Sequence, residues 1–219
     1  LLASARKMKE LGIAQKPLFV IPKPLVEQFG REIYQYFPES HVLIAQSEDF
    51  QKENRKRFVS RILTGKYDFI VIADSQFGKI AMSKEYQEHY ILTQLEAERS
   101  AMENMDDKSF TVKKIEQRIK RMEKSLEDLQ KKDTDSFINF EELGIDLLVV
   151  DEAHNFKNLA PMTQLENVKG ISDTRSQKAM DLQQKIEYLQ NQYNYRRVIF
   201  STGTPLSNSV VEMYTMMRY

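Results

Sequence analysis

Cysteine is absent from the 219 residues, which excludes disulfides and thiolate metal sites and suits a reducing compartment. No apolar run approaches the roughly 20 residues that a membrane-spanning helix needs. No signal peptide is visible; the opening stretch LLASARKMKELGIAQ reads as an amphipathic helix. Excess charge is missing too, because 32 Lys and Arg balance 32 Asp and Glu. A dedicated nucleic-acid module is usually basic, so any nucleic-acid contact must be local. These absences lead to the expectation of a cytoplasmic protein that makes no use of a membrane. The chain does not start with methionine, and we expect it to be a piece of a longer protein.

What is present is alternation. PLFVI (17–21), HVLIA (41–45), DFIVIA (68–73), IDLLVV (145–150) and RVIFS (197–201) read as strands. They are continuously apolar, as strands buried on both faces of a parallel sheet should be. Helical patterns separate them at 23–37, 49–64, 175–192 and 207–218. This order predicts an α/β fold with a mostly parallel sheet flanked by helices.

Residues 84–135 break the rhythm with dense charge and no strand signal. Ile115, Ile119, Met122, Leu126 and Leu129 are spaced four, three, four and three apart, which is a coiled-coil seam. Ile91, Leu95, Met102 and Met105 form a weaker stripe, and NMDDKS (104–109) suits a turn. The expectation is an antiparallel helical hairpin inserted into an α/β domain made of 1–83 and 136–219. The alternative is a long solvated helix packed along its own domain.

LLVVDEAHNFKN (147–158) runs a greasy strand into two acids, Asp151 and Glu152. Ligands of open α/β sheets bind beyond the carboxyl ends of strands. One carboxylate there can hold magnesium through water, and its neighbour can orient a water for attack on a phosphate. An acidic strand end that merely caps a turn is the plainer reading of the two letters alone.

The longer pattern is more specific. DEAHNFKN resembles the Walker B box of superfamily-two helicases, and its Lys157 and Asn158 resemble the Swi/Snf-type branch. FSTGTPLSNSVVEMY (200–214) resembles that branch's third motif at Thr202, Gly203, Thr204, Pro205, Asn208 and Glu212. PLFVIPKPLVEQF (17–29) and YDFIVIADSQF (67–77) are similar to motifs Ia and Ib, although relatives often have PNHL for PKPL and GHSQF for ADSQF. SQFGKIAMSKE and EELGIDLLVVDEAHNFKNL are also similar to the helicase part of large methyltransferase–helicase proteins of phages and conjugative elements.

The resemblance implies a RecA-like domain that uses ATP and magnesium. Asp151 would hold the ion through water, Glu152 would position the attacking water, and His154 would link them to the coupling motif Ser201, Thr202, Gly203, Thr204 and Pro205. Pro22, Lys23, Ser75 and Gln76 would meet a DNA backbone, with duplex the expected form. Lys157 and Asn158 would brace the loop. Ser207 also suits a helix N-cap. Implied partners are DNA, a second RecA-like domain in the same parent chain, and a protein bound by the hairpin.

One expected element is missing. The class needs a GxxxxGK[ST] loop to cradle phosphate, and neither Gly65–Lys66 nor Gly78–Lys79 has that context. The expectation is that the loop lies upstream, so the 219 residues alone should hydrolyse little or no ATP. A basic helical face at Lys52, Arg55, Lys56 and Arg57 reads as solvated surface. Two other functions stay open at this point: a non-catalytic interaction module on a degenerate ATPase fold, and the motor of a restriction–modification system.

Overall fold

Three of the five apolar runs form strands in which every residue is buried: β1 (Pro17–Ile21), β3 (Phe69–Ala73) and β4 (Leu147–Val150). β2 (Val42–Ile44) and β5 (Val198–Phe200) are shorter and partly exposed because they lie at the edges. All pairings are parallel, in the order β2-β3-β1-β4-β5. The computed structural model describes residues 1–51, 53–103, 110–131, 139–159, 176–206 and 210–219. The expected turn at 104–109, Lys52, Met105, Ser207 and Asn208 lie outside the described residues.

Helices cover both faces of this sheet, which gives the α/β fold expected of a RecA-like domain. α1 (Leu2–Glu10) and α2 (Val26–Tyr36) contribute Ala5, Val26 and Ile33 to a core with Phe19, Ile21, Phe69, Val71, Leu147 and Val149. The crossover from β1 to β2 runs one way across the sheet, and the later crossovers run the other way. Right-handed connections therefore send α3 (Arg55–Thr64) and α7 (Gln177–Gln192) to the opposite face. α4 (Asp74–Phe77), directly after β3, is a short helix that the sequence pattern did not announce. α8 (Val210–Met217) follows β5.

The described residues fall into two compact units. One comprises Leu1–Ala81 and the described parts of Phe137–Pro161 and Lys169–Tyr219; the other comprises those of Met82–Ser136. The second unit is a hairpin of α5 (Lys84–Glu103) and α6 (Phe110–Lys131). Lys84 Nζ donates to the Gln130 carbonyl at 3.0 Å, while Arg99 pairs with Glu123 and Arg118 with Glu98, each at 2.9 Å. Early residues of α5 thus meet late residues of α6, so the helices are antiparallel. Leu95, Ile115 and Met122 are buried, and Ile91, Met102, Ile119, Leu126 and Leu129 are half-buried. A four-three spacing produces this stripe because it keeps side chains on one helical face. No helix among the described residues is long and apolar enough to cross a membrane.

Candidate functional site

Connections leave β1 and β4, which are neighbours, in opposite directions. The carboxyl ends of these two strands therefore flank the crevice where open α/β sheets bind ligands. Pro22 and Lys23 follow β1, and Asp151 and Glu152 follow β4. The amide of Asp151 continues the ladder to the Val20 carbonyl at 2.9 Å, so the acid sits at the last rung of the sheet. Its carboxylate is half-buried and makes no hydrogen bond or ion pair among the described residues. No group of three or more His, Cys, Asp or Glu side chains able to hold a metal occurs among those residues.

Glu152 has φ 48° and ψ 46°, a left-handed conformation that side chains other than glycine seldom adopt. The kink separates it from Asp151 and starts a short 3-10 turn, Ala153–Phe156. Its Oε2 lies 3.0 Å from His154 Nδ1. The same ring nitrogen is 2.9 Å from Thr202 Oγ1 and 3.1 Å from Thr204 Oγ1. Three oxygens thus surround one nitrogen, which can point a single N–H at only one of them. Thr202 Oγ1 also accepts the Thr204 amide at 3.1 Å, which shapes the STGT turn. Backbone bonds hold the two loops together: Ser201 donates to Val150 and Ala153 to Ser201, both at 2.9 Å. Ser201 is half-buried, and Gly203 and Pro205 are exposed in the same turn.

Side chains distant in sequence fix this arrangement. Lys157 pairs with the buried Glu212 at 2.9 Å, the brace expected of Lys157. The Tyr219 hydroxyl donates to the Phe156 carbonyl at 2.8 Å and lies 3.3 Å from that of Ala179. Lys178 Nζ is 2.7 Å from Asp74 Oδ2 and 4.5 Å from the centre of the Phe156 ring. Lys178 therefore joins the end of β3 to the turn after β4. Neither Lys178 nor Asp74 was picked out by sequence reasoning; only their paired placement reveals them.

The strand ends expected to meet DNA differ among themselves. Lys23 is exposed, and so is Ser75, whose amide is held by Asp74 Oδ1 at 2.8 Å. Gln76, by contrast, is buried, with 6 % of its surface exposed. Its Oε1 accepts from the Ala73 amide at 3.4 Å, and its Nε2 reaches Ser47 Oγ at 3.3 Å. These two bonds brace the end of β3. The backbone groups that follow Lys23 are used within the turn itself. Pro24 has no N–H, Leu25 donates to the Pro22 carbonyl, and Val26 donates to that of Lys23. The Lys23 side chain is what this turn presents.

Over residues 1–219 the chain matches the family model described as a probable helicase domain. No curated protein matches it.

Proposed function

The chain belongs to the probable helicase domain family, and from that premise we propose that it is the first RecA-like part of a Swi/Snf-type, superfamily-two motor. The motor couples hydrolysis of magnesium-bound ATP to movement on duplex DNA. In this reading 1–83 and 136–219 form the RecA-like part, 84–135 the inserted hairpin, and the parent chain supplies a phosphate-cradling loop and a second RecA-like domain.

Asp151 suits a hydrated magnesium ion: it is one carboxylate at a strand end without a protein partner among the described residues. Magnesium keeps its waters and accepts few protein ligands. Bound Mg-ATP supplies the phosphoanhydride that is broken. Asp151 would hold the ion through water, and Glu152 would orient the attacking water and accept its proton as ADP leaves. His154 shares Nδ1 among Glu152, Thr202 and Thr204. When Glu152 turns toward the water, the imidazole is left to the two threonines. That exchange links the acidic pair to the turn after β5, and Lys178 extends the link to Asp74 beside Ser75. Lys23 and Ser75 contact DNA phosphate.

The observation that carries the proposal is the 2.9–3.1 Å clustering of Glu152, Thr202 and Thr204 around one nitrogen of His154. The test is ATP hydrolysis by a longer protein containing this chain, measured with and without duplex DNA. DNA should stimulate turnover. Turnover indifferent to DNA would contradict the proposal.

A further inference from the structure

α6 has two unlike faces. Ile115 and Met122 are buried on one. On the other, Lys113, Gln117, Lys120 and Lys124 follow one another at steps of four, three and four, with Arg121 alongside, and all five are exposed. The charges on the flanks of the helix find partners: Arg118 with Glu98, Glu123 with Arg99, and Glu127 with Lys131. Lys113, Lys120, Arg121 and Lys124 make no ion pair among the described residues, although Glu116 and Asp128 lie within one helical turn of them.

We infer that this face of the hairpin is a second nucleic-acid contact, which takes the phosphate backbone of duplex DNA. The inference rests on the DNA-binding half of the proposed function and is independent of hydrolysis. At 1.5 Å rise per residue, the span from Lys113 to Lys124 covers about 16 Å. A duplex carries one charge per roughly 1.7 Å of its axis, so four cations over that length can each meet a phosphate. Lysine and arginine at one-turn spacing suit a backbone that repeats without sequence. A protein partner is the poorer match. Protein-binding faces are centred on aromatic or apolar anchors and are depleted in lysine, and the exposed positions between 113 and 124 hold neither kind of anchor. The chain as a whole has zero net charge, so DNA affinity has to come from local concentrations of cations, and this is one.

The test uses the 219-residue chain and a fluorescent duplex of about 25 base pairs, with anisotropy titrations between about 50 and 200 mM salt, the range in which phosphate contacts dominate affinity. A variant with Lys113→Gln, Lys120→Gln, Arg121→Gln and Lys124→Gln should bind at least tenfold more weakly. Its plot of log affinity against log salt should be shallower by about three to four. A charge-keeping variant, with lysine and arginine exchanged at the four positions, should bind like the wild type. Unchanged affinity and slope in the glutamine variant, at unchanged helical circular dichroism, would overturn the inference. If Lys23→Gln weakens binding while the glutamine variant does not, the proposed function stands and the hairpin contact falls. Failure of the wild type to bind the duplex overturns both. Wild-type binding of polyglutamate in preference to the duplex assigns the stripe to an acidic protein and likewise overturns it.

Discussion

Glu152 Oε2 lies 3.0 Å from His154 Nδ1, within reach of the same nitrogen that Thr202 and Thr204 approach. The acid after β4 and the turn after β5 thus share one imidazole. Replacing His154 by alanine should leave basal hydrolysis nearly intact in a longer protein containing the chain, but reduce the ratio of DNA-stimulated to basal rate by tenfold or more, about 1.4 kcal/mol of coupling. Thr202→Val should act in the same direction and more weakly, since Thr204 remains. Equal loss of both rates would assign His154 to chemistry instead of coupling.

The left-handed backbone of Glu152 makes a separate prediction about stability. A residue with a Cβ held there costs on the order of 1–2 kcal/mol, which glycine avoids. Glu152→Gly should keep or raise the stability of the chain in urea, by up to about 1 kcal/mol. Glu152→Val, branched at Cβ, should lower it. Destabilisation by glycine as large as that by valine would show that the kink is not strained.

Lys185 is fully buried, 2.6 Å from Asp181, and donates to the Phe77 carbonyl at 2.9 Å. Its ammonium also lies 4.0 Å from the centre of the Phe77 ring. Burial pulls the Lys185 ammonium below its ordinary range and pushes the Asp181 carboxyl up, each opposed by the charge of the other. Removing one partner strands the other in a place where it is costly. Lys185→Met should therefore destabilise by about 3–5 kcal/mol, whereas Lys185→Met with Asp181→Leu should recover much of that loss. A double variant no better than the single one would mean that the bond to Phe77 dominates.

Asp68 supplies a pH dependence. Burial acts to raise its carboxyl, but the His41 amide and the Lys9 and Arg6 side chains outweigh burial and hold it below the usual value. A carboxylate depressed in the folded state stabilises above its unfolded pKa, and the benefit is lost as pH falls through the folded value. Asp68→Asn should thus be less stable than wild type at pH 7. The gap should narrow as pH drops from about 5 to 3, measured by urea unfolding at each pH. A gap independent of pH would contradict the assignment.

The strands were legible because burial on both faces leaves an unbroken apolar run. β1 occupies the expected 17–21, and the edge strands are shorter than expected because His41, Ala45, Arg197 and Ser201 fall outside them. The acidic pair and the STGT turn were legible because their chemistry lies in contiguous letters. Pairings across the chain were not. Nothing local announces that Lys178 will meet Asp74, 104 residues away, or that Glu152 will turn left-handed. The burial of Gln76 was hidden for the same reason: it follows from α4, a single helical turn too short to show a period.

The most direct test of the central claim is hydrolysis of ATP, with duplex DNA present, by a longer protein that contains the chain, compared with its Glu152→Gln variant. Losing the carboxylate proposed to orient water should slow turnover on the order of a hundredfold or more while ATP binding persists. A variant that hydrolyses at the wild-type rate would contradict the account, because the kinked glutamate at the end of β4 would then have no part in the reaction.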